Sequence, residues 1–545
     1  MSHGESGHHF LGEAYMTKMT GGQALVQSLY REGVRTMFGL PGVQLYHAMD
    51  ALHAEPRIRF ITTRHEQAAA YMAYGYSAAG DDIGAALVVP GPGLLNAAAA
   101  VGTAYSASVP MLLISGQIER DFIGKGEGRL HEIVDQLDAI KTVTKWAHRI
   151  LDPSKVPAAV HEAFVQMKSG RPLPVEIEIP PETLEEEAEV VFHDPALRSQ
   201  IPPNDDSVAA AASALAEAKE PLIWAGEGAL SSGCGPSLIR LGEHLQAPIV
   251  CAGEAKGAVS DRHYLAMGVP NWHRDSLDDL LDRADVILAV GASLARSELR
   301  PEQSVVLVDV DTTQADDRVA VEVIGDVRPG VEALENALLG STSSRSSRRD
   351  EFEAVRSVRY DPNVQIEPQG SFVRAIRSAM PDDGILIEGV TQIGYYSRPF
   401  YRVNEPGTYI SSSYFGNLGY AYPTALGAKV ARPDRAVVAV SGDGGFLFNS
   451  QELATAVKYG INAVVIVFND GAFGNVYRDQ TLKFEGRTIG SELRDPDFMK
   501  LAEAYGARGV RARGPEALES ALRESLAIAA PTLIEVPVGM MPIPF

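Results

Sequence analysis

Cysteine is nearly missing. Cys234 and Cys251 are the only two in 545 residues, and neither sits in a paired-cysteine metal spacing. A disulfide scaffold is thereby excluded, and a reducing, cytoplasmic setting is expected. Long apolar runs are also missing. No stretch reaches the roughly 18 residues that a membrane-spanning helix needs, so no span is predicted. Basic residues are outnumbered, 48 Lys and Arg against 70 Asp and Glu, which leaves a net charge of −22. Such a surface repels phosphate backbones and anionic lipid, so nucleic-acid and membrane partners are not expected. A local nest can still bind an anionic cofactor. The first 22 residues have no apolar core between a basic start and a cleavage site, so they do not read as a secretory signal. A flexible leader is predicted over residues 1–19, with metal binding by His3, His8 and His9 as the lesser alternative.

What is present is globular. Hydrophobic residues make up 45% and charged residues 22%, enough for several cores. The length exceeds one ordinary domain. Short apolar runs alternate with helical segments, which implies parallel sheets covered on both faces. The predicted fold is α/β, with three doubly wound parallel-sheet domains. The first domain, residues 20–184, opens with an amphipathic helix at 22–32. Its strands are predicted at 36–38, 85–89, 111–115 and 175–179. The acidic run 182–189 reads as a solvated exit, within a linker at 185–204. The central domain, 205–339, has strands at 221–225, 248–251, 286–290 and 305–309. The Ser/Arg-rich run 340–350 starts a second linker, 340–367, read as flexible in preference to nucleic-acid binding. The last domain, 368–545, has strands at 384–388, 436–441, 463–469 and 532–536. The first and last domains share size and layout without close sequence repetition.

The chemistry concentrates in two spaced motifs. Ser441-Gly442-Asp443-Gly444-Gly445-Phe446 follows the run AVVAV, at the C-terminal end of a buried strand, where α/β sheets bind ligands. Glycines there let a phosphate approach the backbone, and the next helix is predicted to begin near Ser450. Asp443 is a hard oxygen donor suited to Mg²⁺ on a diphosphate. Alone, Gly-Asp-Gly equally describes a tight turn. However, Asn469-Asp470-Gly471 ends the next apolar run, AVVIVF, 26 residues after Asp443. One strand–helix–strand unit separates the two motifs, so parallel pairing would bring them to one sheet edge. There Asp443, Asn469 and the Gly471 carbonyl can hold one Mg²⁺.

This pairing resembles the diphosphate/Mg²⁺ motif of thiamine diphosphate enzymes, and the first domain supports the resemblance independently. Thr63-Arg64-His65-Glu66-Gln67-Ala68-Ala69-Ala70 is similar to the segment that carries the family's catalytic glutamate. Gly39-Leu40-Pro41-Gly42 and Gly91-Pro92-Gly93-Leu94-Leu95-Asn96 resemble two cofactor-facing loops. The resemblance runs from about Thr20 to the end, and it is closest to the acetolactate synthase large-subunit and 2-oxo acid decarboxylase branch. It implies a pyrimidine-binding first domain, a central domain and a diphosphate-binding last domain. Glu66 would hydrogen-bond the aminopyrimidine and so promote loss of the C2 proton. Tyr414-Phe415-Gly416-Asn417-Leu418-Gly419 matches the loop whose apolar residue bends the cofactor, which makes Leu418 the wedge. Gly389-Val390-Thr391-Gln392 resembles the diphosphate loop. Cofactor contacts are therefore expected at Pro41, Gly42, Asn96, Val390, Thr391, Gln392, Asn417, Leu418, Gly442, Asp443, Gly444, Gly445, Asn469, Gly471, Ala472 and Phe473.

Departures from the synthases bear on the substrate. Their Phe-Gln-Glu triplet is Leu130-His131-Glu132 here, which makes His131 a candidate proton shuttle. Their apolar stretch after the second motif is the polar Asn475-Val476-Tyr477-Arg478-Asp479-Gln480, where Arg478 is either a partner for a substrate carboxylate or a solvated side chain. The flavin-binding segment of the synthases is replaced by Gly291-Ala292-Ser293-Leu294-Ala295-Arg296-Ser297, although Val308-Asp309-Val310-Asp311 keeps an acidic strand end. Thiamine diphosphate and Mg²⁺ are expected, with FAD or ADP in the central domain left open. The implied activity is decarboxylation of a 2-oxo acid with transfer of the acyl unit to a carbonyl acceptor, or the reverse reaction on an acyloin. Alternatives are a 2-oxo acid decarboxylase or dicarbonyl hydrolase without ligation, and a non-catalytic nucleotide-binding regulatory subunit, against which the presence of Glu66 speaks. A homodimer or homotetramer with sites at the subunit interface is implied.

Overall fold

A computed structural model describes residues 16–198, 200–271, 273–294, 299–312 and 317–543. The histidines of the leader and the residues Ala295, Arg296 and Ser297 lie outside these ranges. Three six-stranded parallel sheets follow one another along the chain. The first is ordered Arg59–Thr62, Thr36–Gly39, Gly84–Val88, Met111–Gly116, Val175–Ile179, Trp146–Arg149. The third is ordered Tyr409–Ile410, Ile385–Glu388, Val437–Gly442, Val464–Asn469, Thr532–Pro537, Arg508–Arg511. Numbered within each domain, both orders are 2-1-3-4-6-5, so the similar layout of the two blocks is a true structural repeat. The central sheet, Ala266–Gly268, Ile249–Cys251, Pro221–Ala225, Val286–Val290, Ser304–Asp309, Val319–Ile324, follows 3-2-1-4-5-6. Its inner strands are runs of Val, Ile, Leu and Ala covered by helices on both faces. No described helix is long and apolar enough to cross a membrane.

The segments expected to be irregular are more ordered than composition suggests. Thr17–Thr20, at the end of the expected leader, pairs antiparallel with Glu187–Val190 inside the expected exit linker. The acidic run is exposed but regular, because the strand ladder satisfies its backbone. The Ser/Arg run is not a free tether. The Arg345 guanidinium caps the Asp205–Glu217 helix by donating to the carbonyls of Leu215 (3.1 Å), Ala216 (3.2 Å) and Ala218 (2.7 Å). A further helix, Arg349–Arg359, follows it.

The first and third domains share one core. The buried set that includes Phe38, Tyr71 and Leu113 continues without a break into Ile387, Leu426 and Val465. At its centre the Glu66–Ala79 helix crosses the Ala421–Ala431 helix at backbone distance. A Cβ on Gly75 would stand 2.1 Å from the Thr424 carbonyl oxygen, and one on Gly427 would stand 2.0 Å from that of Met72. Each helix therefore seats a glycine against the other's backbone. Polar contacts flank the crossing: the Arg64 amide donates to Glu452 (3.1 Å), the Thr62 amide to the Tyr459 hydroxyl (2.9 Å), and the Tyr74 hydroxyl to the Ser411 carbonyl (2.7 Å).

Candidate active site

In an open parallel sheet, the crevice forms where the strand order reverses, beyond the C-terminal strand ends. In the third domain that point lies between Ile385–Glu388 and Val437–Gly442. A cavity of about 400 Å³ opens there. Val390, Thr391 and Gln392 line it from the first strand end, and Gly442, Asp443, Gly444 and Gly445 from the second. Ala472 and Phe473 enter from the third, and Leu418 from the loop facing them. The helix after the motif begins at Asp443, not near Ser450: Gly442 ends the strand in an extended conformation and Asp443–Leu447 winds at once, with a second helix from Glu452. The glycines also serve packing, since a Cβ on Gly444 would lie 2.7 Å from the Phe473 ring.

Asp443 and the Asn469-Asp470-Gly471 turn do meet. One Asp443 carboxylate oxygen accepts the amides of Gly471 (2.7 Å) and Asp470 (3.2 Å). The Asn469 side-chain oxygen also accepts the Gly471 amide (3.2 Å), while its amide group donates to Glu535 (2.9 Å). Among the described residues, no three His, Cys, Asp or Glu side chains form a ready-made metal cage. The local electrostatics nevertheless suit a divalent cation. Both carboxylate oxygens of Asp495 are buried without a hydrogen-bond partner. Burial, reinforced by the Asp443 charge, pushes Asp495 up to about 7 and Asp470 to about 6. Three carboxyl groups crowded without a countercharge fit a Mg²⁺ site. Asp495 has no sequence signal, because it lies on a long loop outside either motif.

The equivalent switch point of the first sheet lies between Thr36–Gly39 and Gly84–Val88. Pro41 and Gly42 follow the first of these strands, and Gly91 to Asn96 follow the second. They are closely packed, and a Cβ on Gly42 would lie 2.1 Å from a Val89 methyl. Glu66 opens the Glu66–Ala79 helix, which is capped by His65. Its carboxylate is half-buried and accepts the Asn96 amide at 3.0 Å. His131 joins this group: its Nδ1 lies 3.2 Å from the Gln44 side-chain oxygen, and the Gln44 amide donates to the Leu130 carbonyl at 3.1 Å. None of Pro41, Gly42, Glu66, Asn96 or His131 lines the 400 Å³ cavity. One chain thus carries two groups of expected site residues, of which only the third-domain group lines that cavity.

Some expected residues are committed elsewhere. The Asn417 amide bridges the Tyr71 hydroxyl (2.8 Å) and the Ala99 carbonyl (2.9 Å), which fixes the Leu418 loop to the first domain. Asn469 and Gly471 do not line the cavity, although Asp470 and Ala472 do. Arg478 is 2% exposed, so the solvated alternative is wrong; it donates to the Asn475 side-chain oxygen at 3.0 Å. Asn475 and Tyr395, absent from the expected set, do line the cavity. In the central domain, Glu227, Gly228, Gly291 and Asp309 meet at the corresponding strand ends, where only about 30 Å³ is enclosed. Burial pushes Glu227 up to about 7 and Asp309 to about 6.

Comparison with known proteins agrees with this division. Family models match three parts of the chain: thiamine pyrophosphate enzyme, N-terminal TPP binding domain, over 19–139; central domain, over 208–334; and C-terminal TPP binding domain, over 389–536. The chain is 31% identical to the acetolactate synthase large subunit of Haemophilus influenzae over 536 residues, covering 94% of this chain and 93% of that protein. It is 33% identical to a probable 2-ketoarginine decarboxylase of Pseudomonas aeruginosa over 542 residues, 95% of this chain and 94% of that one. It is 30% identical to the acetolactate synthase isozyme 3 large subunit of Escherichia coli, 94% and 93% respectively.

Proposed function

Because this chain belongs to the thiamine pyrophosphate-dependent enzyme family, near the acetolactate synthases, we propose that it decarboxylates a small 2-oxo acid and transfers the acyl unit to a carbonyl acceptor. The observation that carries this reading is the pair of matching switch points in two sheets with the same strand order. One presents a carboxylate held by an amide, and the other a glycine cradle with crowded acids.

Bound thiamine diphosphate supplies a nucleophilic carbon and an electron sink for loss of CO₂. Glu66, oriented by Asn96, would offer its carboxyl to a ring nitrogen of the bound cofactor and so set the protonation there. Leu418 presents an apolar wedge from a loop pinned by Asn417. Val390, Thr391, Gln392 and Gly442 to Gly445 would receive the diphosphate. Asp443, Asn469 and Gly471 would hold Mg²⁺, with Asp470 and Asp495 drawing it in. Because the Glu66 group does not line the third-domain cavity, we assign the complete site to a homodimer or a dimer of dimers, each copy lending one half.

A second reading, decarboxylation without ligation, is favoured by His131 where the synthases have glutamine, and by the decarboxylase relative. Pyruvate supplied alone and with an added aldehyde separates the two. Acetolactate or an acyloin supports ligation, whereas free acetaldehyde as the sole product supports the second reading. Full turnover of Glu66→Gln with cofactor bound would remove the role of Glu66 under both readings.

A further inference from the structure

The Val175–Ile179 strand buries two glutamates. Both lie on the sheet face that carries Leu113 and Ser115, the face that enters the core shared with the third domain. Buried carboxyls in such a place need partners. Glu176 accepts the Ser115 hydroxyl at 2.5 Å, and burial beside Glu178 holds its pKa well above the usual carboxylate range. Glu178 is paired with the Arg149 guanidinium and accepts the amides of Gln117 (3.3 Å) and Gln136 (3.0 Å).

Gln136 is the hub of this network. It is 1% exposed. The two N–H groups of its amide are shared among Ser115 Oγ (3.0 Å), the Gly116 carbonyl (2.9 Å) and Glu178. Its side-chain oxygen is thereby aimed the other way, where it accepts the Gly91 amide at 2.8 Å. Gly91 holds φ +57°, a conformation that disfavours any side chain, and it caps the Pro92–Ser106 helix that carries Asn96. A Cβ on Gly91 would stand 2.1 Å from the His131 carbonyl oxygen. One residue therefore touches three things: Gln136 through its amide, His131 through its α-carbon, and the Asn96–Glu66 pair through its helix.

We propose that Gln136 is a positioning residue for the first-domain half-site. By anchoring the Gly91 amide to the buried Glu178–Arg149 pair, it sets the Asn96–Glu66 contact and His131 in one register. The proposal rests on the assignment of Glu66 to coenzyme activation. It places specificity for the correct turn in a residue that touches neither substrate nor cofactor.

Gln136→Met keeps the side-chain volume and removes both hydrogen-bonding ends. In the cofactor-free protein, hydrogen exchange at the Gly91 amide should accelerate at least tenfold. In the loaded enzyme, kcat should fall at least tenfold while the thiamine diphosphate Kd changes less than threefold, because the diphosphate residues belong to the other domain. Gln136→Glu gives a second test, which serves alone if the Met variant does not fold. The carboxyl introduced there, when protonated, still donates to Glu178 and accepts from Gly91, whereas its ionised form is repelled by Glu178 despite Arg149. The kcat of this variant relative to the parent protein should therefore be higher at pH 6 than at pH 8. Unchanged Gly91 exchange, or normal kcat in both variants while Glu66→Gln is inactive, overturns the proposal. Full turnover by Glu66→Gln overturns the assignment beneath it, a result that the exchange measurement does not depend on.

Discussion

Replacing Glu452 by glutamine should flatten part of the pH dependence of stability. Glu452 opens the Glu452–Tyr459 helix and is 0% exposed. It accepts the Arg64 amide at 3.1 and 3.2 Å and the Thr455 hydroxyl at 2.6 Å, and it lies near Tyr422. Burial outweighs these partners and pushes its pKa from 4.5 up to about 7. The sign follows from linkage: between these two values the folded protein binds more protons than the unfolded chain, so stability falls as pH rises through that window and levels off above it. At about 1.4 kcal/mol per pH unit, the full effect is about 3 kcal/mol. A neutral amide at this position has no such cost, so the Glu452→Gln variant should gain about 2–3 kcal/mol on the parent between pH 5 and pH 8. Urea unfolding of both proteins at matched pH reads this difference. Parallel stability curves across that range would show that Glu452 ionises freely, and would refute the reasoning.

Three more outcomes are expected. Gly427→Ala inserts a methyl group 2.0 Å from the Met72 carbonyl, so the crossing must open; calorimetry should show a lower Tm, equivalent to about 1–3 kcal/mol of overpacking strain. Mg²⁺ with thiamine diphosphate should raise Tm, by about 2.7 kcal/mol of stabilisation at a hundredfold excess over Kd, and EDTA should reverse the rise; no Mg²⁺-dependent shift would remove the metal assignment. Leu418→Ala should lower kcat about tenfold, roughly 1.4 kcal/mol, with the cofactor Kd nearly constant; a changed Kd at constant kcat would make Leu418 an ordinary contact.

The strands legible in the sequence are the four inner ones of each six-stranded sheet, and those missed are both edges of each. Inner strands such as Gly84–Val88 and Val464–Asn469 are buried on two faces and read as continuous apolar runs. Edge strands such as Trp146–Arg149 and Arg508–Arg511 are half-exposed and polar, and Tyr409–Ile410 is only two residues long. The glycine-rich loops are legible because they carry residue types that an ordinary strand end does not need. Asp495 and Gln136 are not, because their importance lies in what they face across the fold. Val175–Ile179 reads as a buried strand, yet its two glutamates give no local sign of the network that keeps them there.

The reciprocal glycine crossing has a consequence for motion. Two domains that interlock backbone to backbone cannot rock against each other, so they move as a single block and cannot open like jaws to admit a ligand. Entry must instead depend on the loops beyond the strand tips or, in the proposed homodimer, on the neighbouring copy drawing back. In that homodimer a twofold rotation would bring each Glu66 group to the other copy's cavity at once. On this reading, working centres arise only in pairs.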